Sequence, residues 1–252
     1  MAGAAQSKSI IAVASGKGGV GKTWFSITLA HALGNQNRKV LLFDGDLGLA
    51  NLDIQLGLMP THDLGQVIAG KITLDQAVFE YDEAPFDIVA GRSGSGGLAN
   101  LTANRTRMLG EEMARLSKSY DQVILDLGAG VEQTVRQLSH KSGTCIVVIT
   151  DEPTSLTDAY AFIKVTHAER PETDIKIVCN MVNSTREGER TYNTILKACQ
   201  GFLKISPPLL GIVRRDGKVR DAIRAQVPLL TRSPNSEAAD DVAAIADKLL
   251  DV

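Results

Sequence analysis

Nothing in this 252-residue chain points to an oxidising compartment or a bilayer. The three cysteines, Cys145, Cys179 and Cys199, show no Cys-x-x-Cys spacing, so neither a disulfide framework nor a thiolate metal centre is encoded. The first two fall in apolar strand-like runs and the third in a helical stretch, and all three read as buried thiols. No apolar run approaches the ~18 residues of a membrane span. Residues 1–8 are small and polar and lack the apolar core of a signal peptide. The expectation is an unstructured segment 1–8 ahead of one cytoplasmic domain, 9–252. Strong charge of one sign is also missing. With 27 basic and 29 acidic residues, the net charge of −2 excludes a global attraction to nucleic acid or anionic lipid. Repeats and low-complexity linkers are absent too, and a hydrophobic content of 44% suffices for one sizeable core.

What is present is an alternation of short apolar runs and helical stretches. Strands are predicted at 9–14, 38–44, 86–90, 122–127, 144–150, 174–181 and 209–213, most of them apolar throughout, as in strands buried on both faces. Helices are predicted near 22–34, 106–119, 131–140, 155–168, 187–200 and 235–251. The fold class is therefore α/β: a single doubly wound, mostly parallel sheet with helices on both faces and its ligand at the carboxyl ends of the strands.

The most informative segment is residues 16–23, Gly-Lys-Gly-Gly-Val-Gly-Lys-Thr. It has the phosphate-loop form Gly-x-x-x-x-Gly-Lys-Thr, between the predicted strand Ser9-Ile-Ile-Ala-Val-Ala14 and a helix from Trp24. Backbone N–H groups of Gly16, Gly18, Gly19, Val20 and Gly21 would cradle a polyphosphate, Lys22 would reach the β and γ oxygens, and the Thr23 hydroxyl would hold Mg²⁺. Lys17 is a second lysine that the loop's own phosphates do not require. A use for it is the nucleotide of a facing subunit, which would make dimerisation part of the chemistry.

With that lysine, the loop resembles the signature of the MinD/ParA class of deviant Walker A ATPases, Lys-Gly-Gly-x-Gly-Lys-Thr. The resemblance runs over roughly 9–232. Asp44-Gly-Asp46-Leu-Gly-Leu-Ala-Asn51-Leu-Asp53 is similar to the class's first switch, and Asp121-Gln-Val-Ile-Leu-Asp126-Leu-Gly-Ala-Gly130 to its Walker B strand and second switch. Asp151-Glu-Pro-Thr-Ser-Leu-Thr-Asp158-Ala-Tyr160 looks most like the flagellar-number branch, known as FlhG, FleN or YlxH. The resemblance implies a MinD-like P-loop fold, ATP and ADP with Mg²⁺ as ligands, and slow hydrolysis in an ATP-bound homodimer. Asp46 would align the attacking water, Asp126 would support Mg²⁺, and Asp44, the rival for the first role, would hold Mg²⁺ or the loop. Asp44 and Asp53 also read as caps or salt-bridge partners only. Gly128, Ala129 and Gly130 would bring backbone close to the γ-phosphate.

By the same resemblance Asn180 would read adenine, with Asn183 a competitor. After the 209–213 strand the class carries Ile-Pro-x-Asp, whereas this chain has Val213-Arg214-Arg215-Asp216, so Arg214 would stack on the base in place of proline beside Asp216. Trp24 would pack either in a dimer interface or beneath the loop. Gly91 to Gly97 reads as a flexible connection or a loop near the dimer face.

Arg214, Arg215, Lys218, Arg220 and Arg224, against Asp216 and Asp221, form either a solvated helix face or a DNA-binding patch. No aromatics interleave them, which favours the former. The final helix carries Val242, Ile245, Ala246, Leu249 and Leu250 on one face, but Glu237, Asp240, Asp241, Asp247 and Asp251 face only Lys248, so it reads as docked rather than lipid-bound. Implied partners are an FlhF-type GTPase, flagellar C-ring proteins or a flagellar transcription regulator, with recruitment to a cell pole or the inner membrane surface. Residues 1–8 lack the segment by which flagellar relatives stimulate that GTPase. Two other classes remain open: a DNA-bound partition ATPase of ParA type, and a P-loop ligase resembling dethiobiotin synthetase.

Overall fold

A computed structural model of the chain describes residues 7–91 and 102–251. The chain alternates from its start: β1 (Ser7–Ser15), α1 (Lys22–Asn35) and β2 (Val40–Gly45), then two five-residue helices, α2 (Leu52–Leu56) and α3 (Leu64–Ile68). A short hairpin follows, β3 (Val78–Glu80) and β4 (Asp87–Val89), then α4 (Ala103–Leu116), β5 (Gln122–Ala129) and α5 (Gln133–Ser139). The second half runs β6 (Ser142–Ile149), α6 (Pro153–Glu169), β7 (Asp174–Val182), α7 (Thr185–Ala198) and β8 (Leu209–Arg214). It closes with α8 (Gly217–Ala225), α9 (Leu229–Arg232) and α10 (Glu237–Leu250).

Eight strands make one sheet in the order β3-β4-β2-β5-β1-β6-β7-β8, parallel everywhere except between β3 and β4. The strand period of two splits the core. Ile10, Ala12 and Ala14 of β1 join Leu41 and Phe43 of β2 on one face, under α4 to α7. Ile11 and Val13 join Val40 and Leu42 on the other, under α1 and α10. This is the doubly wound architecture expected from the sequence. The chain leaves β1 toward β2 on one side and later crosses to β6 on the other, so the crevice at the carboxyl ends of β1 and β5 is a topological switch point.

Local signals set several boundaries. Thr102 caps α4, accepting the Arg105 N–H, and Ser184 and Ser236 cap α7 and α10 in the same way. Helix α10 buries Val242, Ile245 and Ala246 against α1 and β8, so the acidic final helix is docked. Cys145, Cys179 and Cys199 are all buried, and burial pushes the first two thiols up to about 12. Among the described residues no helix is long and apolar enough to cross a membrane.

The structure departs from expectation in its small elements. α2, α3, α9 and the edge strand β3 were not anticipated, because three to five residues carry too little periodicity to register. Strand β1 begins at Ser7, inside the segment 1–8 expected to be unstructured; residues 1–6 lie outside the described residues. So does the glycine-rich loop after Gly91, at 92–97.

Candidate functional site

A cleft of about 680 Å³ opens at the switch point, walled by the 16–24 loop, residues 45–51, Gly128 and Ala129, with Met181, Val219 and Ile223 at one side. Its floor is the N-terminus of α1. That end has no side-chain cap and no acidic residue in its first turn, leaving N–H groups and positive dipole free for an anion. Gly21 precedes the helix at φ 83°, a left-handed conformation, and a Cβ there would lie 2.5 Å from Asn180 Nδ2. Gly16 is required for another reason: a Cβ would fall 2.1 Å from the Asp158 carbonyl carbon, because α6 presses on the loop.

Behind the loop sits an acidic pair. Asp44 and Asp126 are register neighbours on parallel strands β2 and β5, each 1% exposed. Asp126 is compensated: Ser26 Oγ donates to it at 2.9 Å and Lys22 Nζ lies 3.5 Å away. Lys22 is itself only 8% exposed, and Thr23 is buried beside it. Asp44 is not compensated. Its Oδ1 accepts the Asp46 N–H at 3.1 Å, but Oδ2 is buried with no hydrogen-bond partner. Burial first, and the Asp126 charge second, push its carboxyl well above the usual range. A buried carboxylate oxygen without a donor, beside a second carboxylate, fits a divalent cation, and Asp44, Asp126 and Thr23 are the residues that would hold Mg²⁺.

This pair costs stability in the free protein. With a folded pKa above the ordinary 3.8, Asp44 loses stability as pH rises through 3.8, and the penalty is complete above the raised value. Asp44→Asn keeps the acceptor for Asp46 and removes the charge. It should raise the melting temperature of the nucleotide-free protein at neutral pH by roughly 2–8 °C, the gain vanishing in acid. A lower melting temperature at neutral pH would contradict the repulsion.

Asp46 is half-buried at the cleft wall, where its Oδ1 accepts the Leu49 N–H at 2.9 Å. Gly128 faces it, a Cβ there lying 3.4 Å from the same oxygen. The Gly130 N–H donates to the Ser15 carbonyl at 2.9 Å, tying the end of β5 to the start of the phosphate loop. Lys17 lies at the rim, paired with Glu152 and donating to Thr154 Oγ1 at 2.9 Å. The 151–160 stretch, remote in sequence, is thus a wall of the phosphate loop.

Other sequence-predicted residues have structural partners. Asn180 is buried, and its Nδ2 donates to the Val20 carbonyl at 2.8 Å, bracing the loop from β7. Asn183 instead pairs with Glu187. Trp24 is 5% exposed, sits in the core cluster on the α1 side of the sheet at the edge of the cleft, and its indole N–H has no hydrogen-bond partner. Arg214 is not among the residues lining the cleft, and its guanidinium is held by Asp241 at 2.9 Å and Glu237 at 2.7 Å. Asp216 caps α8, accepting the Lys218 N–H at 2.8 Å, and also accepts the Ala238 N–H at 3.3 Å. Met181, Val219 and Ile223, which line the cleft instead, were not foreseen; their only sequence signal is position at the end of β7 and just after β8. Asp53 lies in the first turn of α2.

A parallel sheet with a glycine loop and uncapped helix at its switch point, backed by paired carboxylates, defines a P-loop nucleotide-binding protein. Residues 11–229 match the CobQ/CobB/MinD/ParA nucleotide binding domain, and the chain belongs to that family. It is 35% identical over 240 residues to the antiactivator FleN of Pseudomonas aeruginosa PAO1, covering 95% of this chain and 85% of that protein. It is 31% identical to the flagellum site-determining protein YlxH of Helicobacter pylori 26695, covering 93% and 80%. Among solved structures, the septum site-determining protein MinD from Pyrococcus horikoshii OT3, complexed with Mg-ADP, superposes with a TM-score of 0.80 at 26% identity, covering 94% of each chain. MinD/ParA-type proteins of this family are ATPases.

Proposed function

We propose that residues 9–252 form one ATPase domain that works as an ATP-dependent dimerising switch controlling the placement or number of flagella. The observation that carries this reading is that FleN and YlxH, two proteins named for flagellar control, align over nearly the whole chain. The reaction is ATP plus water to ADP plus phosphate. Mg²⁺, when bound, neutralises charge on the phosphates. Gly16, Gly18, Gly19, Val20 and Gly21 hold the phosphates by backbone N–H groups, Lys22 neutralises the β and γ oxygens, and Asp46 orients the water in line with the γ-phosphorus. Asp126 keeps Lys22 and Ser26 oriented toward the site. Trp24 and Asn180 support the loop beside the base, and Gly130 lets the second switch approach the γ-phosphate. Lys17 leaves Glu152 and reaches the partner's phosphates in the dimer, and hydrolysis resets the switch.

The partner engaged by the dimer is an FlhF-type GTPase, a C-ring protein or a flagellar transcription regulator, met in the cytoplasm, at a pole or at the inner membrane surface. Deleting the gene should change the number or position of flagella per cell, counted by electron microscopy. The unmodified gene should restore it and a Lys22→Ala copy should not. Unchanged flagella in the deletion strain would overturn the flagellar reading while leaving ATPase chemistry intact. The exposed Arg215, Lys218, Arg220 and Arg224 on and beside α8 favour one alternative, DNA-bound partitioning. It requires ATP-dependent DNA binding that falls steeply with salt.

A further inference from the structure

The buried acid Asp126 has a partner that the phosphate loop itself does not supply. Ser26 lies on α1 one turn past Lys22, fully buried, and its Oγ reaches two acceptors: Asp126 Oδ1 at 2.9 Å and the Lys22 carbonyl at 3.0 Å. A hydroxyl carries one proton, so it serves one of them at a time. Within a helix the carbonyl of residue 22 also accepts the N–H of residue 26, whereas the carboxylate is charged and the stronger acceptor. The proton goes to Asp126.

The same Oδ1 lies 3.5 Å from Lys22 Nζ, and Lys22 is the one cation paired with Asp126 among the described residues. Two demands on Lys22 conflict. When nucleotide enters, the lysine turns to the phosphates, and a carboxylate only 1% exposed would be left beside Asp44 with neither a cation nor access to water. Unrelieved, it would hold the lysine back. A donor fixed to the backbone of α1 removes the conflict, because it stays on Asp126 when the lysine side chain moves.

We propose, on the nucleotide reading of the cleft, that Ser26 is a positioning residue: it keeps Asp126 satisfied so that Lys22 can pass from the carboxylate to the phosphates. Ser26 is not among the residues lining the cleft, and its effect on nucleotide runs through Asp126.

Calorimetry with ADP in excess chelator, without Mg²⁺, isolates the step in which Lys22 changes partner. Ser26→Ala should weaken ADP binding by about tenfold, since the bound state then leaves a buried charged acceptor short of a donor. An amide at position 126 has no charge with which to hold the lysine, so in an Asp126→Asn background the same Ser26→Ala change should alter ADP affinity less than about twofold. Ser26→Cys, close in shape but a weaker donor, should give an intermediate loss with Asp126 present and none in the Asp126→Asn background. Unchanged affinity in Ser26→Ala overturns the proposal, and so do equal losses in both backgrounds, which would make Ser26 a packing residue. Should Ser26→Ala not fold, the same comparison with Ser26→Cys decides. ADP binding that is indifferent to Ser26 removes this proposal alone, whereas an unmodified protein that binds no ADP removes the nucleotide reading with it.

Discussion

Replacing Lys22 by alanine is expected to abolish ATP binding, whereas Asp46→Ala should bind ATP within a few-fold of the unmodified protein and lose turnover by about 10²–10⁴-fold. The two residues stand in different places. Lys22 is nearly enclosed at the base of the loop, 3.5 Å from Asp126, so its charge meets the phosphates in the ground state. Removing it forfeits charge-assisted contacts and leaves Asp44 and Asp126 facing an incoming polyanion without a buried cation between. Asp46 stands on the opposite wall, half-buried and next to Gly128, where its carboxylate can hold a water but a negative charge does nothing to attract ATP. Its effect is therefore confined to the transition state. Calorimetry for affinity and phosphate release for turnover separate the two. An equal loss of ATP affinity in both variants would remove Asp46 from the role given to it.

The second large effect concerns association. Lys17→Ala should bind ATP with unchanged affinity through Lys22 and Thr23, yet sediment as a monomer in ATP and Mg²⁺. In the single chain Lys17 is held by Glu152 and Thr154 at the rim, with about a third of its side chain exposed. An exposed ion pair of that kind contributes only ~0–1 kcal/mol, so its release costs little. A charge-assisted contact to a partner's triphosphate exists only in the assembled state and is stronger, so its loss acts on the dimer alone. Asp46→Ala should do the reverse and accumulate as an ATP-bound dimer, because it assembles and cannot reset. If Lys17→Ala shows the same dimer fraction as the unmodified protein, the cross-subunit role is wrong and a P-loop ligase becomes the better reading.

Much of this site is legible in the sequence because a phosphate loop is a local object. The spacing of Gly16, Gly21, Lys22 and Thr23, with an apolar strand before and a helix after, already determines a backbone nest at a helix N-terminus, and alternating apolar runs determine a buried parallel sheet. The long strands and helices follow for the same reason, since their periodicity extends over many residues. The short elements α2, α3, α9 and β3 do not, because contacts with the finished sheet, not their own pattern, hold them.

What only the tertiary structure decided is pairing across distance. Register between β2 and β5 sets Asp44 beside Asp126 and leaves one carboxylate oxygen unsatisfied, which no spacing rule between residues 82 positions apart contains. Packing of α10 against β8 brings Asp241 and Glu237 to the Arg214 guanidinium, a pairing across more than 20 residues that no local pattern contains. The same kind of packing brings Glu152 to Lys17. Local motifs determine which groups the chain offers to a nucleotide; long-range packing in the low-dielectric interior determines which of those groups are already spent on one another.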